Sequence, residues 1–404
     1  MILEFSITNF LSFKDKVTMS MIGNTKNNLK DNYVVISDKK VLKSAVVYGA
    51  NASGKSNLFK VLLEVVLMIR NSNFTDINAH LPIVPFKFDS KSNESPSEFE
   101  IKFLYDDLRY VYGFKADAKK IYEEYLYYYP NGRETKIFDR IDNKYTYDRK
   151  DTKILKKITE MTAPNKFFLA TATNWNYSKT KPAYDFLTAS MCICFNLNDL
   201  KDISFYAYKQ NDNNLKEFAL DFLKQTDFNI EDFDVTEVKK VQSLIDTNLN
   251  FRDYQILFKH KGQNNMLSFE EESLGTQMIF VLIPFLSITL KGCGVLIIDE
   301  LDKSLHPYLV EYIVKMFNSL EYNPRGAQLI FNTHDTNLLD LNFFRRDQVW
   351  FTEKNDENGE SVLYSLNDFS IRKSENIEKG YMLGRYGAVP FIKNDWNLWD
   401  NEEE

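Results

Sequence analysis

Apolar and polar residues alternate at the start of the chain, at Leu3, Phe5 and Ile7, which predicts a strand. Two further stretches, 33–36 and 43–48, read the same way, and the second is a buried strand that runs into a glycine loop and then a helix from 56 to about 70. Between 98 and 138 the pattern is an antiparallel meander, with runs at 99–104, 109–114, 121–129 and 136–138 separated by turns at Asp106-Asp107, near Asp117 and at Pro130-Asn131-Gly132. Residues from about 139 to 208 mix short helices and loops, 215–223 has a helical period, and 140–250 is expected to be a mostly helical insertion. The last third alternates: strand 253–258, helix 276–290, strand 294–298, helix 307–320, strand 328–331, a helical turn near Leu338 and strand 348–351. That order predicts an α/β fold with a parallel sheet. No repeat or sustained heptad is present, so any coiled-coil arm is short.

Composition changes this picture only in part. A chain of 404 residues suggests two or three structural units, and 44% hydrophobic with 26% charged residues supplies a sizeable core and excludes wholesale disorder. The expected division is 1–139, the insertion 140–250, 251–394, and a tail 395–404. The net charge of −7 argues against sequence-blind nucleic-acid binding through the overall field. Five acids and no base follow Lys393 (Asp395, Asp400, Glu402, Glu403, Glu404), so without the tail the charge is −2, and a local nucleic-acid groove stays open. Three cysteines fit a reducing compartment, the N-terminus has no basic leader, and the apolar run 279–290 is short and interrupted by Pro284. A cytoplasmic protein with no membrane segment is expected.

The chemistry is concentrated in two places. Gly49-Ala50-Asn51-Ala52-Ser53-Gly54-Lys55-Ser56 is a complete GxxxxGK[ST] loop between a strand and a helix, continued by Asn57. Glycines let backbone N–H groups curl round phosphate oxygens, the helix N-terminus adds its dipole, Lys55 supplies a point charge to the β/γ-phosphates, and Ser56 is placed to hold Mg²⁺. The second place is the apolar strand 294–298 ending in Asp299-Glu300, with Asp299 expected on the metal side and Glu300 as base or water-positioner. Leu301-Asp302 and, at the end of the next strand, Asn332-Thr333-His334-Asp335 fall on the same sheet edge.

Other signals read as structure. The tyrosines Tyr122, Tyr125, Tyr127, Tyr128 and Tyr129 are expected to be a packing face of the meander, because Glu123, Glu124 and Glu134 offset the nearby Lys115, Lys119, Lys120 and Arg133 that a base-stacking platform would need. Lys153, Lys156 and Lys157 read as a solvated face, and Cys192 and Cys194 as small buried hydrophobes on one side of a strand. His306 marks the start of the helix opened by Pro307, with an interface role as the alternative.

Phosphate loop, signature helix, acidic pair, D-loop and switch histidine are the motif order of the ABC-type ATPases, and this chain resembles their soluble branch, the SMC, RecF and OLD families. The corresponding residues are Gly49 to Ser56, Glu272-Ser273-Leu274-Gly275-Thr276-Gln277, Asp299-Glu300, Leu301-Asp302 and His334; Ile7-Thr8-Asn9-Phe10-Leu11-Ser12-Phe13 is similar to the first strand and turn of those proteins. The resemblance implies an ABC-type head with a β-meander lobe, a parallel-sheet α/β lobe and the helical insertion. It also implies ATP and Mg²⁺ as cofactors, Glu300 and His334 as catalytic residues, and a homodimer or higher oligomer in which Ser273, Gly275 and Asp302 approach the nucleotide of the opposite head. No glutamine occurs before Gln210, so the metal shell differs from that of the transporters and SMC proteins, or an oxygen near Asp89 takes the glutamine's place. The SLGTQ form is similar to the OLD and RecF side, not the transporters; more narrowly, Tyr48 to Ser56 with Pro85-Phe86-Lys87-Phe88-Asp89, the stretch from Tyr127 to Glu134 and the late stretch Gly384 to Pro390 resemble ATP-binding proteins of bacterial phage-defence and abortive-infection operons of the RloA or AbiLi kind. Such ATPases imply a separate effector, Toprim-like or RloB-like. About seventy residues after His334 are too few for a Toprim domain on this chain. A RecF-like DNA-binding clamp and a nucleotide-loaded scaffold are the alternatives.

Overall fold

The computed structural model describes residues 1–24, 29–36, 38–196, 200–210, 213–226, 228–238, 253–372 and 375–390. The acidic tail expected at 395–404 lies outside them, as do 239–252.

Strands that are apolar at every position need cover on both faces, and the central sheet has it. Its order is Met191–Cys194, Val295–Ile298, Gln328–Asn332, Ser44–Tyr48, Val349–Lys354, Ser361–Ser365. The first five run parallel and the last antiparallel. Alternate residues feed two cores: Ala45, Val47, Val295, Ile297 and Ile330 face one, and Val46, Tyr48, Leu296, Ile298, Leu329 and Phe331 the other. The first core is shared with the helix Lys55–Asn71 and with a seven-stranded antiparallel sheet, ordered Lys144–Tyr147, Thr135–Ile141, Ile121–Tyr128, Leu108–Ala116, Ser97–Tyr105, Ile2–Thr8, Val17–Ser20. The second lies beneath the helices Leu274–Gly292 and Pro307–Asn318. This is the mixed α/β head with meander and parallel-sheet lobes that the motif order implied.

The stretch 140–250 is woven into both lobes. Strand Thr135–Ile141 crosses the expected boundary at 139, and Lys144–Tyr147 extends the meander by one strand. Helices Thr152–Glu160, Phe168–Asn174 and Lys181–Ala189 contribute Leu155, Phe168 and Phe186 to the first core. Met191–Cys194 is the edge strand of the parallel sheet, and Ile230–Val238 pairs with Asp253–His260.

Glu124 is not the surface acid that the local charge count assumed. It is fully buried, accepts the N–H groups of Phe168 (2.6 Å) and Leu169 (2.9 Å) and the hydroxyl of Tyr112 (3.1 Å), and lies 3.7 Å from the equally buried Arg140. Burial pushes its pKa up, while Arg140 and these donors pull it down. The tyrosines are divided between the two faces of the meander, Tyr128 packing against the first core, and the hydroxyls of Tyr122, Tyr125, Tyr127 and Tyr129 are taken by Asp117, Glu100, Asp139 and Glu134. Carboxylates at their tips make a poor platform for a phosphate backbone.

Leu274–Gly292 continues through Pro284, as the helix expected over 276–290 requires. Proline has no N–H for the carbonyl four residues back, here that of Phe280. The buried hydroxyl of Tyr208, on helix Lys201–Lys209, donates to that carbonyl (2.9 Å), and Ser204 donates to the carbonyl of Val281 (2.6 Å). The freed acceptor is thereby satisfied, and the helix continues. It is long and apolar enough to cross a membrane by length and composition, but 67% of it is buried inside the fold, as suits a core helix. Tyr208→Phe should strand the Phe280 carbonyl and cost about 1–3 kcal/mol, measurable as a lower denaturation midpoint.

Candidate nucleotide site

Register places the ends of four strands on one edge: Ile298 pairs with Phe331, Asn332 with Val47, and Tyr48 with Phe351. Everything that leaves this edge can meet.

The phosphate loop leaves it first. A side chain at Gly49 would put its Cβ 2.4 Å from the Thr352 carbonyl oxygen and 2.5 Å from Ser53 Oγ, so only glycine fits between loop and neighbouring strand. Gly54 has φ +114°, a backbone conformation that glycine adopts without strain. Ser53 is buried and shares a 2.7 Å hydrogen bond with Thr352 Oγ1, which pins the loop from behind. Ala50, Asn51 and Ala52 form the partly open rim, with Ala52 at φ +63°. Lys55 begins the helix and arches back, its Nζ donating to the carbonyls of Gly49 (2.7 Å) and Ala50 (3.0 Å). Burial lowers its pKa, and the carboxylates of Asp299, Glu300 and Asp302 oppose that shift. Asn57 turns its side chain away to Ser12 Oγ (2.9 Å), tying the helix to the first turn of the chain.

The acidic pair leaves the neighbouring edge position. Asp299 lies near Ser56, and its pKa is raised, chiefly by burial and further by Glu300, against the pull of Asn332, Ser56 and Lys55. Asn332 joins the two acids: its Nδ2 donates to Asp299 Oδ1, and the Glu300 N–H donates to its Oδ1. Glu300 sits at φ +54°, half-buried, with Lys303 3.6 Å from its carboxylate. Asp302 Oδ2 accepts the His334 N–H (3.1 Å), so D-loop and switch loop of one chain are joined; the His334 side chain is exposed. Tyr48, one residue before the phosphate loop, donates its buried hydroxyl to the carbonyl of Asp335, one residue after the switch histidine (2.9 Å).

Ser56 and Asp299 fit a magnesium ion. They are two hard oxygen donors near one another, and Mg²⁺ takes few protein oxygens and fills its shell with phosphate and water. The Asp89 carboxylate is engaged elsewhere, accepting from Ser92 N (2.9 Å) and Oγ (2.7 Å) beside Lys14.

The signature residues stand apart. Ser273 caps Leu274–Gly292, accepting from Thr276 N (3.2 Å), and a Cβ on Gly275 would lie 3.1 Å from the Ser304 carbonyl. Both line a cavity of about 750 Å³ with Ser304, His306 and Tyr308, and no phosphate-loop residue borders it. His306 is the N-cap of Pro307–Asn318, its Nδ1 accepting from Tyr308 N (3.2 Å). The structure thus brings Gly49 to Ser56 together with Asp299, Glu300, Asp302 and, through its backbone, His334, and leaves Ser273 and Gly275 on a second surface. Asn332, Tyr48 and Thr352 were not assigned roles from sequence. An amide at the end of an apolar strand was the available signal for Asn332, since a buried polar side chain needs a partner.

Fold and site together define a P-loop ATPase head of the ABC/SMC type. Residues 44–340 match the family described as "AAA domain, putative AbiEii toxin, Type IV TA system", and the chain belongs to that family. Among solved structures it is similar to the SMC head domain from Thermotoga maritima, at 12% identity and TM-score 0.43, covering 92% of this chain and 99% of that one. It is similar also to an SMC head bound to the C-terminal winged-helix domain of ScpA (15%, TM-score 0.45, 93% and 99%). A third likeness is to an SMC head with an extended coiled coil bound to the C-terminal domain of ScpA from Pyrococcus furiosus (13%, TM-score 0.41, 95% and 98%). No curated protein matches the chain.

Proposed function

We propose that this protein is a Mg²⁺-dependent ATP hydrolase of the cytoplasm in which two heads close on two nucleotides, and that the closed state gates a separate effector, Toprim-like or RloB-like, in antiphage defence. The observation that carries the hydrolase reading is the hydrogen-bonded chain Asp299, Asn332, Glu300 at the mouth of the phosphate loop, with Ser56 beside Asp299. It sets two oxygens for a cation beside the loop and fixes the backbone of a second carboxylate one residue further on. When bound, Mg²⁺ neutralises phosphate charge. Lys55 leaves the loop carbonyls for the β/γ-phosphates, Glu300 accepts a proton from the attacking water, and His334 meets the γ-phosphate side.

Closure by two copies is supported by the separation of the signature turn from the phosphate loop of the same chain. A helix N-terminus with free N–H groups suits an anion, and the nucleotide of a second copy would supply one. Sedimentation with a non-hydrolysable ATP analogue and Mg²⁺ should show a dimer that is absent without nucleotide. Ser273→Ala should bind the analogue as a monomer with unchanged affinity and lose at least about tenfold in turnover. Full turnover by a species that stays monomeric would overturn the two-headed arrangement.

A further inference from the structure

We propose that Cys192 and Cys194 form a dithiol site that a peroxide oxidises to an intramolecular disulfide, and that closing this bond displaces the carboxylate Asp299. The inference rests on the nucleotide-site reading above for its consequence, but not for the dithiol itself.

Side chains two apart on a strand point the same way. The two sulfurs on Met191–Cys194 lie 3.8 Å apart, with Cys192 half-buried and Cys194 only 2% exposed. Their environments divide the labour. The hydrogen bond from Cys194 and then the charge of Arg70 hold the Cys192 thiol below its ordinary pKa, against burial, whereas that bond and burial push Cys194 up. The reachable sulfur is the one favoured as thiolate, the nucleophilic form.

The chemistry balances with one peroxide. Cys192 thiolate attacks a peroxide oxygen, the O–O bond breaks, and the departing hydroxide takes a proton to become water, leaving a sulfenic acid. Cys194 sulfur then attacks the Cys192 sulfur; its thiol proton goes to the departing hydroxyl, which leaves as a second water. Two thiols are oxidised and one peroxide is reduced.

Closure must distort the strand. Alternate Cα atoms in an extended strand are about 6.6 Å apart, at the long end of the roughly 4.4–6.8 Å that a disulfide spans. The strand has only one strand partner, with Cys192 opposite Leu296 and Cys194 opposite Ile298, so it can buckle toward its unpaired side. The Cys194 carbonyl accepts the Asp299 N–H (2.8 Å), so buckling pulls directly on the residue whose carboxylate Asn332 holds.

The test treats the full-length protein with hydrogen peroxide and digests it without reduction. The peptide carrying both cysteines should lose about 2 Da, the two thiol hydrogens, and hydrogen exchange at the Asp299 amide should speed by about tenfold. ATP turnover should fall at least tenfold and return with dithiothreitol. Cys192→Ser should resist peroxide on all counts, and Cys293→Ser, which removes the third thiol, should respond as wild type. Added oxygen on Cys192 without mass loss, or a bond to Cys293, would overturn the dithiol. A disulfide that leaves both Asp299 exchange and turnover unchanged would overturn the coupling. Should the reduced protein hydrolyse no ATP, the hydrolase reading fails, while the mass and exchange measurements still decide this one.

Discussion

Lys55→Ala is expected to weaken ATP binding by at least about a hundredfold, because a charge-assisted contact to phosphate contributes about 1.5–3 kcal/mol and Lys55 is placed to make more than one. The ammonium already lies inside the loop, on the carbonyls of Gly49 and Ala50, so its removal opens the cradle as well as discharging it. A second effect adds to the first. Lys55 helps hold down the pKa of Asp299, which burial and Glu300 raise, so without it the carboxylate protonates more readily and its hold on Mg²⁺ weakens. Titration calorimetry with ATP, with and without Mg²⁺, checks both; wild-type affinity in the variant would remove the phosphate loop from the site.

Glu300→Gln should separate binding from chemistry. The link to Asn332 uses the Glu300 backbone N–H, and the side chain meets only the exposed Lys303, so an amide of the same shape leaves the site assembled. What it removes is the proton acceptor, a change that costs about 10²–10⁴ in turnover for a general base. ATP affinity should be unchanged and the nucleotide-bound dimer should accumulate, read by single-turnover kinetics and sedimentation. Turnover equal to wild type would transfer the role of base to another group.

Much of this site was legible before any coordinates, and for a physical reason. A loop that wraps phosphate needs glycine where its backbone touches a neighbour, as at Gly49 against Thr352, and it needs a lysine at one place only. The apolar runs at 45–48, 295–298 and 329–331 announced buried parallel strands because such strands need cover on both faces. Less legible were groups whose partners are remote in sequence. Met191–Cys194 read as a strand, but its place at the edge of the central sheet comes only from its pairing with Val295–Ile298. Glu124 read as a surface acid because its neighbours in sequence are charged, whereas its ligands come from helix Phe168–Asn174. Asn332 was visible as a residue and invisible as a bridge, since its two partners lie on the strand beside it.

The order of strands in the central sheet carries a consequence for how the chain acquires its shape. Ser44–Tyr48 lies between Gln328–Asn332 and Val349–Lys354, two strands that leave the ribosome nearly three hundred residues after it. Until then its apolar edges have no native partner. Pairings so distant in sequence are slow to form and expose aggregation-prone edges meanwhile. The hairpins between 97 and 147 need only near neighbours and can form while synthesis continues. The phosphate loop, though encoded in the first seventh of the chain, is therefore among the last parts to take its working form, and a truncated product should hold its meander without a nucleotide site.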